Sequence, residues 1–323
     1  MTKEPPMKRI RKPECKRNHP YVSERDARNL DEFFSPILCA GLRRFLTLKL
    51  EHIPADFKTE KEWKDTIRQM LWAFEQHHLD LPDDPYSIWY DREERKLTEA
   101  GIATYIFDED PIHPGMIRQL SNLPEMPPKI ENAMVKYNIK VQKGIRLFAK
   151  YYRDLYTVIT PRPAARRKPG EKPARKRMLA KARKEPLISE REAADLVTLF
   201  TPLICAGLSR FLTLDLTGCI DVIEGVEGWK ENVAAMLWSF EQIRQGYPDN
   251  PMENWLDGEC RKREEEGLPV TTAAENPNPG GWSDIRIHVP DVPHDVIKAE
   301  KEYEEKVQKG LDLFGKYYRD LWD

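Results

Sequence analysis

Cysteine is scarce and unpatterned in this chain: five residues among 323, an odd number with no Cys-x-x-Cys pair. That argues against a disulfide framework and a zinc knuckle, and it points to a reducing compartment. Only seven histidines are present, which leaves few candidates for a His-built metal centre or general base. No apolar run nears the ~20 residues that span a bilayer, and the first residues (MTKEPPMKRIRKPECKRNHP) have no secretory-signal core. An excess of one charge is missing too. Lys and Arg total 52 against 54 Asp and Glu, a net charge of −2, which excludes a uniformly basic nucleic-acid binder. No G-x-S-x-G, P-loop or H-E-x-x-H motif occurs. What remains is 40% hydrophobic and 33% charged, a soluble composition with enough apolar residues for a core. Its length suits two domains.

The sequence repeats itself at an offset of 166 residues. Residues 36–50 (PILCAGLRRFLTLKL) match 202–216 (PLICAGLSRFLTLDL) at 11 of 15 positions, and 140–155 match 306–321 at 13 of 16. Trp63, Trp89 and the stretch 70–76 (MLWAFEQ) recur as Trp229, Trp255 and 236–242 (MLWSFEQ). One offset serves every block, and it far exceeds the 20–50 residues of solenoid repeats. The reading is a tandem duplication of one domain. Between the copies, residues 162–184 hold eleven basic residues and one acid, a local charge of +10, leaving −12 for the rest of the chain. Such a stretch reads as a tether. The expected organisation is a basic arm over 1–23, a repeat over 24–157, a basic linker over 158–189 and a second repeat over 190–323. Each repeat is expected to have its own core, the two packing as a pseudo-symmetric pair.

The apolar period within each repeat is helical, so the expected class is all-α, two homologous helical bundles. Ser35-Pro36 and Thr201-Pro202 read as an N-cap followed by Pro at the first helical position; the rival is a longer helix kinked at Pro. Thr59-Glu-Lys-Glu62 is a capping box opening a helix to about His78. A short helix around 88–97 is expected in the Pro-rich middle, and a final helix over about 130–156. No strand pattern competes.

Leu42–Phe45, Trp63, Met70–Glu75 and Val141–Leu155, and again Leu208–Phe211, Trp229, Met236–Glu241 and Val307–Trp322, stand in one order. This order resembles an uncharacterised family of small helical bacteriophage proteins. Typical members carry one copy, so the tandem arrangement departs from them. The resemblance implies a phage origin, a helical fold and the cytoplasm of an infected bacterial cell; it implies no activity.

Repeated polar residues carry more functional information than repeated apolar ones, because a core does not require them. They include Arg44/Arg210, Glu75/Glu241, Gln142/Gln308, Lys150/Lys316, Arg153/Arg319 and Asp154/Asp320. The bland reading is structural: Glu75 pairs with Arg44 or Arg153, Lys150 with Asp154, and Trp72 and Trp238 act as packing anchors. The sharper reading is an anion site. Lys-Tyr-Tyr-Arg-Asp combines cations with aromatic faces. In that reading Arg44, Arg153, Arg210 and Arg319, with Lys150 and Lys316, clamp a small nucleotide between the copies while Tyr152 and Tyr318 stack on its bases. Histidines are not repeated: His77-His78 align with Ile243-Arg244, and His52 with Gly218. A non-enzyme with no cofactor and no metal is expected, sequestering a nucleotide immune signal. The alternatives are a protein–protein inhibitor or accessory factor, and a nucleic-acid binder acting through 162–184.

Overall fold

The computed structural model describes residues 20–79, 82–109, 117–158, 186–215, 225–268, 271–273, 285–287 and 290–322. The basic stretch 162–184 and the arm before residue 20 lie outside them. The described chain is mostly helical. Its first half runs α1 (Glu24–Ala27), α2 (Leu30–Phe45), α3 (Glu60–His78), α4 (Pro85–Glu99), the hairpin β1 (Tyr105–Glu109) and β2 (Ile117–Ser121), α5 (Pro128–Lys150) and a 3₁₀ turn, Tyr152–Asp154. The second half runs α6 (Glu190–Ala193), α7 (Leu196–Phe211), α8 (Gly225–Gln245), α9 (Pro251–Glu265), the hairpin β3 (Thr271–Ala273) and β4 (Ile285–Ile287), α10 (His294–Tyr317) and a 3₁₀ turn, Tyr318–Asp320. No described helix is long and apolar enough to cross a membrane.

The sequence reading missed both hairpins. They are antiparallel, with Tyr105 opposite Ser121 and Thr271 opposite Ile287, and their strands are too short for an alternating pattern to stand out. The opening of α2 and α7 also differs from the N-cap reading. Both helices run straight through their prolines, Pro36 and Pro202. A helical Pro disturbs the hydrogen bonds of the turn before it, and here side-chain hydroxyls serve that turn. Ser35 Oγ and Tyr318 Oη donate to the Asp31 carbonyl at 2.6 and 2.9 Å. In α7, Thr201 Oγ1 and Tyr152 Oη donate to the Val197 carbonyl at 2.5 and 3.5 Å. The Thr59 cap behaves as expected in part: its hydroxyl accepts from the Glu62 amide at 3.2 Å, while Glu62 accepts from Lys58 rather than Thr59.

Those two tyrosines arrive from the opposite half, which overturns the expectation of a separate core in each repeat. The buried residues form one cluster drawn from both halves. After α5 the chain crosses over, and the Leu196 amide donates to the Leu155 carbonyl at 3.0 Å; after α10, the Leu30 amide donates to the Leu321 carbonyl at 2.9 Å. Phe200 packs on Gly41, and Phe34 packs on Gly207, where an added Cβ would fall 2.5 Å from the ring. Each contact recurs with both partners displaced by 166 residues, so the halves meet about a pseudo-twofold axis. Burying a phenylalanine ring this completely is worth about 1.5–3 kcal/mol, so the exchange is a large part of what holds the molecule together.

Candidate functional site

The axis emerges between the two long final helices. Ala149 on α5 and Gly315 on α10 are equivalent positions, and a Cβ added to Gly315 would sit 2.7 Å from that of Ala149. A glycine is therefore needed for the helices to approach so closely. Gln142 Nε2 bridges them, donating to the Gly315 and Lys316 carbonyls at 2.8 and 3.2 Å. These lie in the last turn of α10, where carbonyls lack helical partners. Over this crossing lies an open groove of about 650 Å³, lined by Arg146, Ala149, Lys150, Gln308, Asp312 and Lys316.

Two of the expected site residues, Lys150 and Lys316, thus meet in one groove. Their surroundings differ. Lys150 Nζ donates to Asp56 Oδ2 at 2.7 Å and to Tyr151 Oη at 2.9 Å; the hydrogen bond to Asp56 raises the lysine pKa and lowers that of the carboxyl. Lys316 lies over the Tyr317 ring, 4.4 Å from its centroid, and has no carboxylate partner among the described residues. The sequence equivalent of Asp56 is Val222. Arg146 is exposed and unpaired among the described residues. Its equivalent, Asp312, accepts from Gln308 Nε2 at 2.9 Å.

The four expected arginines do not line this groove. Each reaches across to the other half: Arg44 to Glu190 at 2.6 Å, Arg210 to Glu24 at 3.5 Å, Arg153 to Glu304 at 2.6 Å and Arg319 to Asn138 Oδ1 at 3.0 Å. They are clamps between halves. Tyr152 and Tyr318 are fully buried, so neither offers a face to a base. Tyr152 packs edge-on against Phe240 at 5.1 Å, and Tyr318 against Phe74 at 5.0 Å; burial drives both phenol pKa values well up.

The expected ion-pair partners are corrected as well. Glu75 pairs with Arg43, not Arg44 or Arg153, and Glu241 pairs with Arg244. Position 43 is matched by Ser209 and position 78 by Arg244, so the cation moves from α2 to α8 itself while the glutamate stays. Lys150 misses Asp154 because α5 ends and tightens into a 3₁₀ turn, leaving Asp154 3.4 Å from His52 Nε2. Trp72 and Trp238 are half-buried rather than central. Lys140 caps Trp72 at 3.6 Å and Lys306 caps Trp238 at 3.9 Å. Beneath them Tyr137 Oη donates to Gln76 Oε1 at 3.3 Å, and Tyr303 Oη to Gln242 Oε1 at 2.9 Å. Sequence reasoning missed this repeated cluster, although identity across the 166-residue offset marks every member.

No protein family, curated protein or solved structure matches the chain. One further titratable pair exists in the first half only. His77 Nδ1 lies 3.9 Å from Asp31 Oδ2, beside the incoming Tyr318. Burial, reinforced by Arg319, pushes the His77 pKa down to about 4, and burial pushes Asp31 up to about 6. The matching positions are Ile243 and Val197. Among the described residues no three His, Cys, Asp or Glu side chains gather as metal ligands.

Proposed function

We propose that the chain is a non-catalytic binding protein of phage type that takes a small phosphorylated nucleotide in the groove over the α5–α10 crossing. The supporting observation is the meeting of Lys150, Lys316 and Arg146 in one groove on the axis. Cations placed on either side of a close helix crossing suit phosphate oxygens, by charge and by directed hydrogen bonds. The groove size falls within the range of small-molecule sites. Tandem duplication of one domain accounts for the axis, which gives a single chain the paired arrangement a homodimer would have. In an infected cell such a protein would act by withdrawing a nucleotide signal from host immunity, a role that needs no acid–base machinery.

Calorimetry with cyclic dinucleotides, ADP-ribose and nucleoside monophosphates tests this reading. Heat is expected for at least one, and Lys150→Ala with Lys316→Ala should abolish it without changing the melting temperature. No heat from the parent protein with any of them would end the proposal. A second reading, a protein–protein inhibitor or accessory factor, draws support from a different surface. Tyr86 and Ile88 on α4, Ile106 on β1 and Ile102 in the connection between them are exposed, and Tyr90 and Tyr105 share a 2.8 Å hydrogen bond there. The second half has Asn254 and Thr272 in place of Ile88 and Ile106. An association that survives high salt would belong to this apolar patch.

A further inference from the structure

The groove breaks its own symmetry at one pair of positions. Arg146 and Asp312 are equivalent by the 166-residue offset, yet they carry opposite charge. The Arg146 Cα lies 3.4 Å from the Cβ position of Gly315, the residue before Lys316. The two cations of the groove that lack a carboxylate partner among the described residues therefore stand on adjoining backbone at one end. At the other end Lys150 is held by Asp56, and Asp312 accepts from Gln308 while keeping its charge. A ligand with two equivalent phosphates would find a cationic site at one end and a carboxylate at the other.

We infer that the groove binds an asymmetric ribonucleotide end-on, its phosphate between Arg146 and Lys316 and its ribose hydroxyls on Asp312 and Gln308. This rests on the groove reading above. The phosphate end offers charge-assisted donors and, among the described residues, no acid. The opposite end offers a carboxylate oxygen, the group that takes ribose hydroxyls in dinucleotide-binding sites, beside an amide. A ribose hydroxyl can donate to the Asp312 oxygen that Gln308 leaves free, so the site discriminates by hydroxyl content as well as by charge.

Adenosine 5′-monophosphate and its 2′,3′-dideoxy analogue are the probes, titrated into the full chain after the nucleotide panel has given heat. The parent should prefer the ribonucleotide by about tenfold or more. Arg146→Gln with Lys316→Gln should weaken it by at least about tenfold, a larger loss than Lys150→Gln causes. Asp312→Asn should remove the preference for the ribose hydroxyls. If Lys150→Gln weakens binding as much as the Arg146/Lys316 variant, the site is a symmetric clamp and the end-on assignment is wrong. It is equally wrong if the dideoxy analogue binds as well as the ribonucleotide. A parent that binds none of the panel removes the groove reading itself.

Discussion

Asp31 and His77 are titratable groups placed where one half receives the tail of the other, and burial makes each resist ionisation. Their slopes with pH oppose one another. Burial gives Asp31 a folded pKa of about 6, above the ordinary 3.8, so its contribution is present below about pH 4 and lost as pH rises through 6. His77 has a folded pKa of about 4, below 6.5, so its contribution is present above 6.5 and lost as pH falls through 4. Between those limits the two nearly cancel. Asp31→Asn should therefore raise stability at pH 8, by up to about 3 kcal/mol at 1.36 kcal/mol per unit. It should also make stability fall steadily from pH 6.5 to 4. Thermal melting across that range checks both parts, and a flat difference between variant and parent would show that Asp31 is ionised in the fold. Both residues were visible in the sequence, but their meeting was not, because Asp31 lies on α2, His77 on α3, and the covering Tyr318 comes from 241 positions beyond His77.

At the scale of elements, helical periodicity and caps were legible. The extents of α3 and α8 follow their apolar stripes, and Thr59 caps where a capping box stands. At the prolines of α2 and α7 the N-cap reading fails and the rival longer helix is the one that forms, for a physical reason. Local sequence penalises Pro inside a helix by about 3 kcal/mol, and the compensation comes from hydroxyls of the other half. Tyr318→Phe removes the hydroxyl that serves Asp31 and Ser35, and it should cost about 1–2 kcal/mol. Tyr152→Phe should cost less, since its bond to Val197 is longer, 3.5 Å against 2.9 Å. Urea unfolding of the two single variants measures the difference. Equal costs would mean that Ser35 and Thr201 serve the turn before the proline unaided.

At the scale of the molecule, the repeat was legible in the sequence but the sharing of one core was not, since any sequence comparison aligns copies without saying how they touch. The site was half legible for a related cause. Lys150 and Lys316 stood out because they repeat, whereas Arg146 and Asp312 were passed over because they do not. A protease site inserted after Gly170 allows the shared core to be tested. Once cut, the two pieces should stay together through gel filtration in 1 M salt, because buried rings rather than the four surface pairs hold them; separation in salt would assign the cohesion to the arginines. The contact of Ala149 with Gly315 carries one more consequence. On the axis of a homodimer a residue faces itself, so any substitution there is made on both sides at once and must suit its own image. With both halves in one chain, the two sides vary independently. Alanine can face glycine where two alanines would collide, and an arginine can stand opposite an aspartate. The axis thereby becomes the place where a twofold architecture has the greatest freedom to acquire direction.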